Sequence, residues 1–129
     1  MEIVRGDEYK EKGSKFLGFF ARLTNLVQFN EFLKIIKAEH PTADHCCPAY
    51  RFNEPQANFF GDKILHEKYY NDGECSGTGR ALLNLLREQN LEDCGIIVVR
   101  YFGGILLGAE NVPIAFAKAG AQTLSKLAK

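Results

Sequence analysis

Charge of one sign is missing from this chain: 16 Lys and Arg balance 16 Asp and Glu, and neither half of the 129 residues carries an excess. That balance excludes a broadly basic surface of the kind that holds nucleic acid or anionic lipid without sequence preference. Long apolar runs are missing too. Runs such as Ile96–Val99 and Ile105–Ala109 fall far short of the roughly 20 residues of a membrane-spanning helix. Met1–Asp7 lacks the apolar core of a secretion signal. The four cysteines, Cys46, Cys47, Cys75 and Cys94, form no CxxC and no Cys/His zinc spacing. The expectation is a cytoplasmic protein with reduced thiols, no metal and no cofactor. Vicinal Cys46 and Cys47 beside His45 would suit a soft metal, but two buried small hydrophobes is the plainer reading. No repeat, low-complexity tract or Pro/Ser-rich linker breaks the sequence, so residues 1–129 read as one domain.

What is present is a hydrophobic fraction of 46% with 15 Phe and Tyr, enough for an ordered core. Lys15–Leu23 is aromatic-rich and reads as a strand. Leu26, Phe29, Leu33 and Ile36 recur at helical spacing, with Asn25 as cap, Gln28 three residues on, and His40-Pro41 as the stop. Asp44–Phe52 reads as a strand in which Pro48 implies an edge or a bulge. Residues 53–58 read as a loop and Ile64–Tyr70 as a third strand. A helix over Ala81–Glu88 follows. Gly95–Phe102 is a continuous apolar run, the pattern of a strand covered on both faces. Asn111 and Pro113 open a last helix with Ile114, Ala117, Ala121, Leu124 and Ala128 on one stripe and small residues for close packing. The order predicts an α+β two-layer sandwich, with helices over a four-stranded sheet.

Two segments have the composition of a site. Asp72-Gly73-Glu74-Cys75-Ser76-Gly77-Thr78-Gly79-Arg80 leads into a helix, where unpaired first-turn amides attract anions. It is neither a Walker loop nor a dinucleotide fingerprint, and a tight turn with Ser76 or Thr78 as cap is the plainer reading. The second is Val98–Gly104, where Arg100 interrupts an apolar strand. A guanidinium there needs a partner, and Asp72 or Glu74 is expected within salt-bridge reach. Lys15, Arg80 and Arg100 would hold phosphates, with Tyr101 stacking a base. The Asp72 and Glu74 carboxylates with His45 and Cys75 would suit catalysis only if folding gathers them. No catalytic constellation is assigned.

At these segments the chain resembles the IMPACT/YigZ family. The matching residues are Gly13-Ser14-Lys15-Phe16, Ala38–His45, Asp72-Gly73-Glu74, Ser76-Gly77-Thr78, and Val98-Val99-Arg100-Tyr101-Phe102-Gly103-Gly104 through Gly108, in order over nearly the whole chain. Cys75 departs from the proline usual after Asp-Gly-Glu, and residues 109–114 replace a glycine-rich segment that bears Arg or Lys. The resemblance implies the fold of the second domain of small-subunit ribosomal protein five. It also implies the family's shared module standing alone, without the ferredoxin-like or RWD domains of relatives. In function it implies a non-enzymatic regulatory module in translation control. Such a module restrains the amino-acid-starvation kinase of a translation initiation factor by competing for that kinase's activator protein. The alternative is RNA or nucleotide phosphate binding. The binding residues are expected among Lys15, His45, Asp72, Gly73, Glu74, Ser76, Gly77, Thr78, Arg80, Arg100, Tyr101, Gly103 and Gly104.

Overall fold

The computed structural model describes residues 1–55 and 60–127. Strands β1 (Ile3–Arg5), β2 (Tyr9–Glu11) and β3 (Ser14–Arg22) precede helix α1 (Leu26–Glu39). Strands β4 (His45–Pro55) and β5 (Lys63–Tyr69) lead to α2 (Thr78–Glu88), then β6 (Cys94–Tyr101) and α3 (Val112–Leu124). The sheet is antiparallel in the order β1-β3-β6-β4-β5, with β2 also paired to β3. It therefore has six strands among the described residues, not the expected four.

Strand β6, apolar through Val99, lies at the centre, and its alternating side chains seed two cores. Ile96 and Val98 pack with Phe16, Phe20, Leu82, Leu86 and Phe116, beneath α2 and α3. Ile97 and Val99 pack with Phe29, Phe32 and Ile36 of α1. Helices thus cover both faces, which corrects the two-layer expectation. A central strand apolar on both sides needs cover on both sides.

The start of α1 follows the sequence: Asn25 Oδ1 accepts from Gln28 N at 2.9 Å, and Gln28 Oε1 accepts from Thr24 N at 2.8 Å. Its buried face is Phe29, Phe32 and Ile36, while Leu26 is half exposed. On α3 the expected stripe is out of phase. Val112, Ala115, Phe116, Ala119, Gly120, Thr123 and Leu124 are buried, Ile114 is half exposed, and Ala128 lies outside the described residues. The close packing of small residues is present: a Cβ on Gly120 would stand 2.8 Å from Leu85 Cδ1.

Pro48 marks no bulge, and the expected edge is a local one: it sits where β4 has outrun β5, on a strand that is interior over the rest of its length. Strand β4 runs between β6 and β5, with Pro48 opposite Ile97. The Pro48 carbonyl faces the β5 side and accepts from Tyr70 N at 3.0 Å, just past the last β5 residue. A residue's N–H and C=O share one side of a strand, so the ring removes a donor that no β5 carbonyl would have met. Two positions further out on the same side, Cys46 N donates to Asp72 Oδ2 at 2.8 Å. The strand continues through Asn53 to Pro55, which corrects the first part of the expected loop at 53–58; its remainder lies outside the described residues.

Candidate functional site

Arg100 is the penultimate residue of β6. It faces the α2/α3 side with Phe16 opposite on β3 and His45 opposite on β4. Its guanidinium carbon lies 5.5 Å from the centroids of both the Phe16 and Phe102 rings, within cation–π range. Nη1 donates to Glu74 Oε2 at 2.9 Å, and both side chains are only 6% exposed. Nη2 donates to Ser14 Oγ at 3.3 Å, whereas Nε is fully enclosed with no partner among the described residues. Arg100 therefore meets the expected carboxylate, and it is Glu74.

Asp72 has a different task. Asn71–Glu74 is a tight turn closed by Glu74 N on Asn71 O at 2.8 Å, with Asp72 and Gly73 both at positive φ. That turn aims the Asp72 carboxylate at Cys46 N and its carbonyl at His45 Nδ1, 2.9 Å away. A carbonyl only accepts, so Nδ1 carries the proton of the neutral imidazole, and Nε2 faces Glu74 Oε2 at 3.5 Å.

The helix start beyond the turn is closed by the chain itself. Gly77, at φ +92°, is the cap residue, correcting the expectation of Ser76 or Thr78. Thr78 Oγ1 donates to Cys75 O at 2.8 Å, and Asn71 Oδ1 accepts from Gly79 N at 2.8 Å. Gly79 permits this approach, since a Cβ there would stand 2.7 Å from Tyr70 O. Ser76 and Arg80 are exposed, and Arg80 stacks over Tyr69 while donating to its hydroxyl at 3.0 Å. Asn111 occupies the cap position of α3, but its side chain donates to Leu107 O at 2.9 Å instead of capping.

After β6 the two adjacent glycines serve different ends. A Cβ on Gly103 would overlap the Gly13 carbonyl, where the chain crosses itself, and Gly103 N donates to Ser14 Oγ at 3.2 Å. Gly104 has φ +88° with open space around it. Phe102 N donates to Asp44 Oδ2 at 2.7 Å. Together these contacts set the loop beside a cavity of roughly 290 Å³, lined by His45, Glu74, Cys75, Arg100, Leu106 and Val112 among others.

The expected residues are thus divided. His45, Glu74 and Arg100 meet at this cavity, with Gly103 at its edge and Asp72 and Gly73 behind it. Lys15 and Tyr101 are cross-strand neighbours on the α1 side, where Tyr101 hydroxyl and His40 Nδ1 lie 2.7 Å apart. The phosphate clamp of Lys15, Arg80, Arg100 and Tyr101 is not assembled in one place. Ser14, His40 and Asn71 were not singled out as site residues by sequence reasoning; only their place within or beside the matching motifs pointed to them.

Cys46 and Cys47 face opposite sides of the sheet, so the vicinal pair does not converge. Burial pushes the Cys46 thiol up to about 11 and the Cys94 thiol to about 12, with Cys47 higher still. Cys75, partly exposed in the cavity wall, is the accessible thiol of the four. No group of three or more His, Cys, Asp and Glu among the described residues is arranged to hold a metal ion. No helix there is long and apolar enough to cross a membrane.

Residues 12–124 match the family model of the Impact N-terminal domain. The chain belongs to the IMPACT family. It is 36% identical over 115 residues to the IMPACT family member YvyE of Bacillus subtilis, covering 88% of this chain and 49% of that protein. A crystal structure of a hypothetical protein superimposes with a TM-score of 0.79 at 28% identity, over 99% of this chain and 63% of that one. The two-domain translational regulator Yih1 shares the fold, with a TM-score of 0.61 at 23% identity, over 95% of this chain and 46% of Yih1. This IMPACT chain therefore spans about half the length of the relatives it matches.

Proposed function

We propose that this IMPACT chain is a non-enzymatic, protein-binding module of translation control. In the specific form of the proposal, it restrains the amino-acid-starvation kinase of a translation initiation factor by competing for that kinase's activator protein. Membership of the IMPACT family supports the reading, as does the fold shared with a protein described as a translational regulator. The observation that carries it is the loop after β6. Phe102, Ile105 and Leu106 are 47, 54 and 81% exposed, beside an arginine whose charge Glu74 already balances. Exposed aromatic and aliphatic side chains around a buried, internally paired charge suit a protein surface better than a phosphate. The RNA or nucleotide reading gains no comparable support, because Lys15 and Tyr101 lie on the opposite face from Arg100 and Arg80 is engaged by Tyr69. A cytoplasmic location belongs to the proposal and accords with four unpaired cysteines. So does the expected likeness to the second domain of ribosomal protein five.

The test is capture by the full chain from starved eukaryotic cells that carry the kinase. The activator should be recovered, and added chain should lower phosphorylation of the initiation factor in a reconstituted kinase reaction. Recovery of neither the activator nor any translation factor sinks the proposal.

A further inference from the structure

The two edges of the sheet are built differently. On one side β1 and β2 are three residues each, and very short edge strands offer little to a foreign strand. On the other, β5 runs for seven residues and pairs with β4 alone. Tyr70 N donates to Pro48 O at 3.0 Å, and the register runs on from Ala49–Tyr69 to Pro55–Lys63 without a bulge. Bonds to β4 therefore belong to the even residues of β5. The N–H and C=O groups of Lys63, Leu65, Glu67 and Tyr69 point away from the sheet. Those four amides have no partner among the described residues. No proline or glycine interrupts the strand, and Ile64, beside Leu65, is 47% exposed. A regular, partly apolar edge of this length is one that another strand extends.

The sequence of β5 selects that strand. Only offsets that set odd residues against odd ones align the outward donors and acceptors. Antiparallel pairing of β5 with itself about Leu65 sets Leu65 against Leu65, Ile64 against His66 and Lys63 against Glu67. Lys68 then meets Asp62, the residue before the strand. Apolar meets apolar at the axis, and no like charges face each other. Slipping by two residues sets Ile64 against Lys68 and Leu65 against Glu67, and slipping by four sets Glu67 against Glu67. Glu67 already holds Arg51 and Arg87, so Lys63 adds little there. The backbone ladder and the Leu65 contact supply the attraction.

We propose that this chain self-associates through β5, two copies pairing antiparallel about a two-fold axis at Leu65 so that their sheets become one. The surface is self-complementary, as a two-fold interface requires. Three residue pairs with two bonds each make about six ladder bonds. An interface of that size is small, so half of the chain should be dimeric at a concentration on the order of 100 µM. The inference goes beyond the regulatory reading and does not depend on it.

Sedimentation equilibrium of the full chain, from about 10 µM to about 1 mM, should carry the average mass from 14.5 kDa toward twice that value. Between the same limits, amide exchange should slow about fivefold at Leu65 and Glu67. Ile64, His66 and Lys68 should keep their rates, because β4 already holds them. Leu65→Lys sets two ammonium groups at the axis and should keep the chain monomeric. Ile64→Lys, at a half-exposed position that the fold does not need, should weaken association severalfold and carries the test if Leu65→Lys does not fold. With Cys75→Ser as background, Leu65→Cys should oxidise to a covalent dimer, whereas linkage through His66→Cys instead overturns the axis at Leu65. A chain that is monomeric at the highest concentration overturns the proposal. So does a dimer that leaves the Leu65 and Glu67 amides unslowed or survives both lysine variants. If the chain stays monomeric while captured activator slows the same amides, the edge serves a different protein. Self-pairing then falls and the regulatory reading stands.

Discussion

At the residue scale, the Arg100–Glu74 pair sets the terms. Both side chains are 6% exposed, and the guanidinium is sandwiched between two aromatic rings. Removing one partner strands the other charge, which costs about 3–5 kcal/mol at a buried site, whereas removing both restores an apolar contact. Glu74→Leu or Arg100→Met alone should lower the urea midpoint by that measure, and the double variant should recover most of it. A double variant as unstable as the sum of the singles shows that the pair's partners matter more than its charges. The buried thiols set the alkaline limit. Cys46 and Cys94 are raised from an ordinary value near 9 to about 11 and about 12 by burial. A group whose pKa is raised on folding lends stability that is complete below its unfolded pKa and fades as pH climbs through the folded one. Stability should therefore hold up to about pH 9 and then fall toward pH 11–12, by up to about 1.4 kcal/mol per pH unit for each thiol. Urea titrations at pH 8 and pH 10 check this, and Cys94→Ala should flatten the slope.

At the element scale, the crossing of the segments around Gly13 and Gly103 holds the site loop, and the two adjacent glycines there should respond differently. Gly103→Ala forces a methyl into the Gly13 backbone and should cost at or above the roughly 3 kcal/mol of severe overpacking. Gly104→Ala meets no atom but must adopt φ +88°, which costs about 1–2 kcal/mol. Melting curves of the two variants separate these costs, and equal losses would mean that the crossing tolerates displacement. How much of this was legible in the sequence depends on the interaction behind each element. Asn25 with Gln28, and the apolar run of β6, are local signals, and both elements form where they point. Arg100 needed a carboxylate, and the choice of Glu74 over Asp72 follows from a turn whose two positive-φ residues send the Asp72 carboxylate toward Cys46 instead. Strands β1 and β2 are three residues each, too short for a period-two pattern to show. The side chain that accepts from the first turn of α2 is Asn71, eight residues before the Gly79 amide it bonds, and no local motif announces it. Pro48 argued for an edge, and it sits on the short stretch of β4 that outruns β5; that β4 is interior over the rest of its length is not visible in the sequence.

At the scale of the whole molecule, β6 is flanked by β3 and β4 and enclosed by helices on both sides. Its exchange with solvent should require global unfolding. The edge strand β1, three residues paired only to β3, should open at lower cost. Native-state hydrogen exchange should place the amides of Ile96–Val99 at the full unfolding free energy and those of Ile3–Arg5 well below it. Comparable protection at both sites would mean that the sheet opens as one unit. The sheet's other side has its own weak point, because β4 outruns β5 and leaves a length of backbone with no strand beside it. On that stretch one donor is absent by covalent structure, at Pro48, and the next is already held by Asp72. A foreign strand arriving there finds no free donor on that stretch with which to start a ladder. A proline and an aspartate that look like irregularities in a strand thus keep crowded copies of the chain from templating one another at this corner.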